Sequence, residues 1–242
     1  MEIKGKIYCL FEQSGTFRDV FRELGYPAYD YDISNYFGKT DYVMNIFEQI
    51  DLWNYGVNGI FDEITQDDLI IAFFPCTYFE VSQLTYYDLT NYNYRNKPMT
   101  ERITIAQNRI EMRTKYHLYL YDLVKIAYEN DLRLIVENPA REPNYLIGGQ
   151  NFPKPTIIDY NRQARGDYYR KPTAYWFLNC EPTRLHSSSV NKVKRRVDKT
   201  WGHKVNGNYI ERSLISPIYA RNFICDFILG VKQSNTIPTL FE

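Results

Sequence analysis

The chain has 242 residues, of which 44% are hydrophobic, so it can bury a full core and is not expected to be disordered. Lys and Arg number 29, as do Asp and Glu, which gives a formal net charge of zero. The longest apolar stretch, residues 69–74, is too short to span a bilayer, and four cysteines without a CxxC pair favour neither a disulfide framework nor a zinc knuckle. With no N-terminal signal pattern, we expect a soluble cytoplasmic monomer without a metal.

Apolar segments alternate with helical patterns along the chain. Short apolar runs bounded by polar or turn residues predict strands at 3–10, 28–33, 69–74, 132–136 and 175–178. Apolar residues at helical spacing predict helices at 15–24, 102–129 and 218–229. Residues 42–50 fit either a short helix or a strand. The alternation predicts an α/β fold with a mostly parallel sheet and helices on both faces.

Positive charge is concentrated in residues 162–212, where twelve basic residues face four acidic ones. A net charge of +8 in this segment is typical of a polyanion-binding face on an otherwise acidic protein. Five of its basic side chains form a tight cluster that we expect to contact nucleic-acid phosphates, the alternative being a solvated surface: Lys192, Lys194, Arg195, Arg196 and Lys199. Residues 77–100 are polar, rich in tyrosine and directly follow a predicted strand, which is typical of a functional loop.

Reactive or polar residues lie where the predicted strands end, and in an open parallel sheet ligands bind beyond the carboxyl ends of the strands. The turn at Ser14-Gly15 precedes the first helix and can present backbone N–H groups to a ligand. Asp32 ends the second strand, where a carboxylate can accept hydrogen bonds from a ribose. Cys76 and Glu137 follow two apolar strands that one long helix separates, so we expect them to be neighbours in the sheet.

The last two residues also have structural interpretations. Cys76 fits either a nucleophile whose thiolate is stabilised or a small core residue that follows Pro75. Glu137 fits either a carboxyl with a raised pKa that acts on a bound ring, or a strand end whose turn is held by Asn138. Their conjunction favours the chemical interpretation, in which a nucleophile and an acid face one pocket beside a cofactor site.

Five motifs occur in an order that resembles the DNA cytosine-5 methyltransferases, especially their small phage-type members. They are Glu12-x-Ser14-Gly15-x-x-Arg18-Asp19-x-Phe21 with Asp32, Pro75-Cys76, Glu137-Asn138-Pro139, Gly166-Asp167-x-x-x-Lys171-x-Thr173-x-x-Trp176, and Arg212-Ser213 with Pro217-x-x-Ala220. Together they span nearly the whole chain. The resemblance implies a Rossmann-like S-adenosylmethionine-dependent methyltransferase fold with a short basic recognition segment.

The resemblance also implies roles for individual residues. Cys76 would attack C6 of a cytosine flipped out of double-stranded DNA, Glu137 would hydrogen-bond N3 and the exocyclic amine, and C5 would take the methyl group from S-adenosylmethionine. A further cation at the base would be Lys171 or Arg165, because two registers of the family's Gln-x-Arg-x-Arg motif are open. The cofactor would be bound by Glu12, Ser14, Gly15, Asp32, Asp41, Pro75 and Ser213, and residues 77–100 would close over the base.

This interpretation divides the chain into a catalytic α/β domain over residues 1–178, a short basic recognition-like segment over 179–210, and a C-terminal helix over 211–242 that returns to the catalytic domain. The turn Phe11-Glu12-Gln13-Ser14-Gly15 lacks the first glycine of the family's Phe-x-Gly-x-Gly. Two other functions therefore stay open: the same chemistry on RNA or a free pyrimidine nucleotide, and a catalytically silent nucleic-acid-binding protein. The biological role that the resemblance implies is protection of viral or mobile DNA from restriction.

Overall fold

The computed structural model describes residues 1–80, 85–141, 143–185 and 214–232. The basic cluster from Lys192 to Lys199 and the predicted cofactor residue Ser213 lie outside the described residues. No helix in the described ranges combines the length and the apolarity that crossing a membrane requires.

Within the described ranges, seven strands form one mixed sheet. They are β1 (Ile7–Leu10), β2 (Ala28–Asp32), β3 (Tyr42–Val43), β4 (Leu69–Ala72), β5 (Leu134–Pro139), β6 (Ile157–Asp159) and β7 (Thr173–Leu178). Their order across the sheet is β3-β2-β1-β4-β5-β7-β6. The first five strands pair in parallel, whereas β7 is antiparallel to both of its neighbours.

Helices cover both faces of this sheet. They are α1 (Thr16–Glu23), α2 (Ile46–Asn54), α3 (Met99–Glu129), the short α4 (Tyr145–Gly148) and α5 (Pro217–Phe223), which continues as a π-helical segment, Ile224–Leu229. On one face, Phe17 of α1 and Phe223 of α5 pack with Ile71 of β4. On the other face, Leu120 and Leu123 of α3 pack with alternate strand residues.

The strand sequences explain this layered arrangement. Every residue of β1 and β4 is buried, because a parallel strand with helices above and below it buries both of its faces. Such strands are continuous apolar runs, and Leu69–Ala72 is one. The α/β class, the mostly parallel sheet and the helices on both faces are thus as the sequence predicts.

Several boundaries differ from the predictions: the strand predicted at 3–10, for example, begins only at Ile7. Three further differences have a clear physical cause. Residues 42–50 contain both structures, since the two residues of β3 are followed by α2. The strand predicted at 132–136 extends to Pro139, because β7 pairs with its end at Glu137↔Tyr175 and Asn138↔Ala174. The short edge strand β6 was not predicted, because only three residues pair there and none of them is fully buried.

Candidate active site

The strand order defines one crevice at the carboxyl edge of the sheet. From β1 the chain builds outward through β2 and β3, whereas β4 and β5 extend the sheet in the other direction. Ligands of such folds bind where the direction reverses, which here is between the ends of β1 and β4. The segments that enter this crevice are residues 11–15 after β1 and residues 73–76 after β4.

The turn after β1 is built around a buried carboxylate. Glu12 accepts hydrogen bonds from the backbone N–H groups of Phe17 (2.7 Å) and Arg18 (3.3 Å), so it caps the N-terminus of α1. Burial raises the pKa of Glu12 to about 7, and the two backbone donors partly offset this shift. Gly15 has a left-handed backbone (φ +66°), and a Cβ there would lie 2.2 Å from the Arg18 guanidinium. The backbone conformation and this close approach both favour glycine at this point of the turn.

An ion-pair cluster between α1, β2 and the loop before β3 lies next to this turn. Arg18 lies 2.7 Å from Asp30 and 3.5 Å from Asp41. Asp41 also pairs with Arg22 at 2.8 Å and accepts the backbone N–H of Asp30. The carboxylate of Asp41, predicted to contact the cofactor, is thus held in contacts that join α1 to the loop before β3.

A cavity of about 240 Å³ lies next to the turn. Its walls come from four distant segments, and the lining residues are Ser14, Thr16, Phe37, Lys39, Tyr168, Leu214, Ile215 and Pro217. The structure therefore brings Ser14 together with the residues that directly follow Ser213.

Asp32 is buried at the end of β2. Its carboxylate accepts the N–H of Ser34 (2.7 Å), and burial raises its pKa.

The turn that carries Cys76 is anchored to β5 and α4. Asn138 of β5 donates a hydrogen bond to the carbonyl of Phe74 (2.9 Å), two residues before the thiol. The Cys76 carbonyl accepts the N–H of Phe79 (2.9 Å), and the buried Phe79 ring stacks on Tyr145 at 5.9 Å. Pro75 and Cys76 are both half-buried, so these contacts hold a turn that is only partly exposed.

Cys76, Glu137 and Lys171 influence one another electrostatically. Burial raises the pKa of the Cys76 thiol to about 11, the positive charge of Lys171 lowers it, and the carboxylates of Glu80 and Glu137 raise it. Burial also raises the pKa of Glu137, while the charges of Lys171 and Arg162 lower it. The pairing of Ala72 with Val136 and the hydrogen bond from Asn138 to Phe74 hold the segments of Cys76 and Glu137 side by side. With Lys171, which acts on both, three of the four predicted catalytic residues lie at the carboxyl ends of β4 and β5.

Arg162, which the sequence analysis did not select, lies beside Glu137. Its guanidinium is buried, 3.8 Å from the Glu137 carboxylate and 2.6 Å from Asp167, and it stacks on the Tyr219 ring at 4.5 Å. Asp167 in turn accepts the N–H of Ser216 (3.0 Å), the residue before α5. This chain of contacts joins Glu137 to the segment that lines the cavity.

Arg165, the predicted catalytic arginine, points away from Glu137. Its guanidinium pairs with Asp159 at 3.1 Å and with Asp226 at 2.6 Å, so it fastens β6 to the π-helical segment. The arginine that adjoins Glu137 is therefore Arg162 and not Arg165. The two residues are the ends of one 3-10 turn, Arg162–Arg165, and sequence alone gives no signal for which of them faces inward.

A second cavity, of about 540 Å³, lies between α2 and α3 and contains none of the predicted site residues. In the described part of the chain, no group of three or more His, Cys, Asp or Glu residues could hold a metal ion. Comparison with protein-family models and with curated proteins gave no match to this chain. Its function is therefore argued from its own residues.

Proposed function

We propose that this protein is an S-adenosylmethionine-dependent methyltransferase that acts on C5 of cytosine in DNA. The observation that carries the proposal is the convergence of Cys76, Glu137 and Lys171 at the carboxyl ends of two neighbouring parallel strands. A thiol, a protonatable carboxyl and a cation are the groups that addition to a pyrimidine ring requires. Their position beside the crevice at the sheet's reversal point supports transfer from a bound cofactor.

The sheet and the cavity both fit the proposed cofactor. A seven-stranded sheet with a reversed seventh strand between the fifth and sixth agrees with the methyltransferase fold that the sequence resemblance implies. Asp32, buried at the end of β2, fits a ribose diol, because a carboxylate accepts hydrogen bonds from both hydroxyls. Ser14 and Lys39 line the cavity next to the turn after β1 and would supply polar contacts for the amino-acid part of the cofactor.

In this proposal Cys76 is the nucleophile and Glu137 is the proton donor. The Cys76 sulfur forms a bond to C6 while the thiol proton passes to water, and Glu137 donates a proton to N3 as the ring electrons shift. The raised pKa of Glu137 favours this role, because its carboxyl keeps a proton to a higher pH. Bound S-adenosylmethionine supplies an electrophilic methyl group to C5. Loss of the C5 proton to water, cleavage of the S–C6 bond and return of the N3 proton to Glu137 then restore the aromatic ring, and the released Cys76 thiolate takes a proton from water.

The resting thiol must lose its proton before or during attack. With a pKa of about 11, Cys76 is almost entirely protonated at neutral pH. Lys171 is the group that opposes this shift, so its role is to stabilise the thiolate as the sulfur approaches C6. Binding of the base would bring about the deprotonation, which protects the thiol from unproductive reactions in the free protein.

Covalent trapping on a fluorinated substrate tests the proposal directly. The protein is incubated with a duplex that contains 5-fluorocytosine and with S-adenosylmethionine, and denaturing electrophoresis detects the protein–DNA adduct. We expect an adduct with the parent protein and none with Cys76→Ala. Cys180→Ser is the matched control, because that half-buried thiol has a similarly raised pKa of about 11 but follows β7 at the opposite edge of the sheet.

The substrate class is tested by the transfer of labelled methyl groups to duplex DNA, RNA and free cytidine nucleotides. We expect label in DNA alone. Label in RNA or nucleotides alone would replace DNA as the substrate while keeping the chemistry. DNA binding without transfer or trapping would instead support the catalytically silent binding protein.

A further inference from the structure

Two arginines of α3 each contact two tyrosine rings. The Arg109 guanidinium lies 4.0 Å from the centre of the Tyr86 ring and 5.3 Å from that of Tyr78. One turn later, Arg113 lies 4.5 Å from the Tyr87 ring and 4.3 Å from the Tyr145 ring. We call these six residues the Arg–Tyr surface; they are Tyr78, Tyr86, Tyr87, Arg109, Arg113 and Tyr145.

The Arg–Tyr surface is continuous with the turn that carries Cys76. Tyr78 is the second residue after the thiol, and Tyr145 donates its backbone N–H to the carbonyl of Phe79 at 2.9 Å. Both arginines therefore contact a tyrosine that is attached to this turn. A polymer whose reacting base reaches Cys76 would pass over or beside these two arginines.

Contact with two rings prepares a guanidinium to bind an anion. Each ring attracts the cation and restricts its rotation. A guanidinium carries five N–H donors in a planar fork that matches phosphate oxygens. An arriving phosphate therefore meets a group that has already lost part of its rotamer entropy.

Charge and spacing on α3 also suit a nucleic-acid strand. From Arg95 to Lys115, six basic residues oppose two acidic ones, although the whole chain is neutral. Arg109 and Arg113 are four residues apart, which is about 6 Å along a helix axis. Phosphates of one DNA strand are spaced at about 3.4 Å of rise, so the two arginines can reach phosphates one or two nucleotides apart.

We propose that Arg109 and Arg113 bind phosphates of the DNA strand that carries the target cytosine. This inference rests on the proposed function and adds to it a phosphate-binding surface in α3, formed by other residues than the basic cluster between Lys192 and Lys199. The two arginines fix the position of the strand beside Cys76. They carry no base recognition, because phosphate contacts set register without reading sequence.

The salt dependence of DNA binding tests this proposal without any need for turnover. Fluorescence anisotropy measures the affinity of the cofactor-free protein for a labelled duplex between 50 and 200 mM salt. Loss of two phosphate contacts in Arg109→Ala/Arg113→Ala reduces the slope of log K against log salt by about 1.8. Over this range the parent protein then loses about 12-fold more affinity than the variant. Arg109→Lys/Arg113→Lys keeps both charges, so it should restore the slope.

Lys4→Ala/Lys6→Ala is the matched control, because it removes two exposed charges that precede β1 at the other end of the sheet. Its slope should equal that of the parent protein. Circular dichroism and the melting temperature establish that each variant is folded. An unchanged slope in the arginine-to-alanine variant overturns this inference and leaves the methyltransferase proposal intact. Failure of the parent protein to bind DNA would overturn both.

Discussion

Replacement of Arg162 by methionine tests whether the buried charges behind Glu137 act as a unit. The side chain is 1% exposed and its neighbour Asp167 is equally buried, with 2.6 Å between their charged atoms. Methionine preserves most of the length and the packing on Tyr219 but leaves the Asp167 carboxylate without its cation. Breaking one partner of a buried pair costs about 3–5 kcal/mol. We expect Arg162→Met to lower the free energy of unfolding by that amount at pH 8.

The cost of this substitution should depend on pH through Glu137. Burial raises the folded-state pKa of Glu137 above its unfolded value, so stability falls as the pH rises through that range. Arg162 lowers the pKa of Glu137 and thus limits the loss. Without this cation the loss is larger, and Arg162→Met should be more destabilising at pH 8 than at pH 5.

Urea denaturation of a double-mutant cycle provides the measurement. Asp167→Asn in the Arg162→Met background removes the uncompensated charge, so the double variant should be more stable than Arg162→Met alone. Arg22→Met is the control for an exposed pair, since Arg22 is 41% exposed, and its cost should stay within about 1 kcal/mol. If the two substitutions at Arg162 and Asp167 are additive, the pair is not coupled and the reasoning fails.

Two further predictions concern the turn after β1. Gly15→Ala should destabilise the protein by at least about 1 kcal/mol more than Gly38→Ala. Both glycines have a left-handed backbone (φ +66° and +64°), but only a Cβ at Gly15 would meet another side chain. Equal melting temperatures of the two variants would contradict this. Burial raises the pKa of Glu12 from 4.5 to about 7, so stability should fall by about 3 kcal/mol between pH 4.5 and 7, and Glu12→Gln should remove this dependence in urea titrations. An identical pH profile for Glu12→Gln would exclude Glu12 as its source.

The parallel part of the sheet could be predicted because burial determines its sequence. Strands such as β4 lie between two helical layers, so all their positions are apolar and the run stands out. Edge strands carry no such signal: β6 has three half-buried residues, and the two residues of β3 are exposed. Their positions depend on partners that are distant in the chain, which local patterns do not encode.

The site was predictable to the extent that its residues lie at strand ends. The ends of β4 and β5 are neighbours because these strands pair at Ala72↔Val136, so Cys76 and Glu137 were expected to meet. Arg162 could not be found in this way. The buried Asp167 holds the side chain of Arg162 inward. Asp159 and Asp226 hold the side chain of Arg165 on the far side of the turn.

The direction of β7 is what completes the site. Because β7 runs antiparallel to β5, Thr173 at its start lies beside Pro139 at the end of β5. The hydrogen bond from the Ala140 N–H to the Pro172 carbonyl (2.8 Å) continues this pairing beyond the strands. Lys171 and Arg162, which both precede β7, are thereby delivered to the same edge as Glu137 and Cys76. A parallel β7 would start at the opposite edge, and neither cation would then reach the carboxylate whose pKa both of them lower.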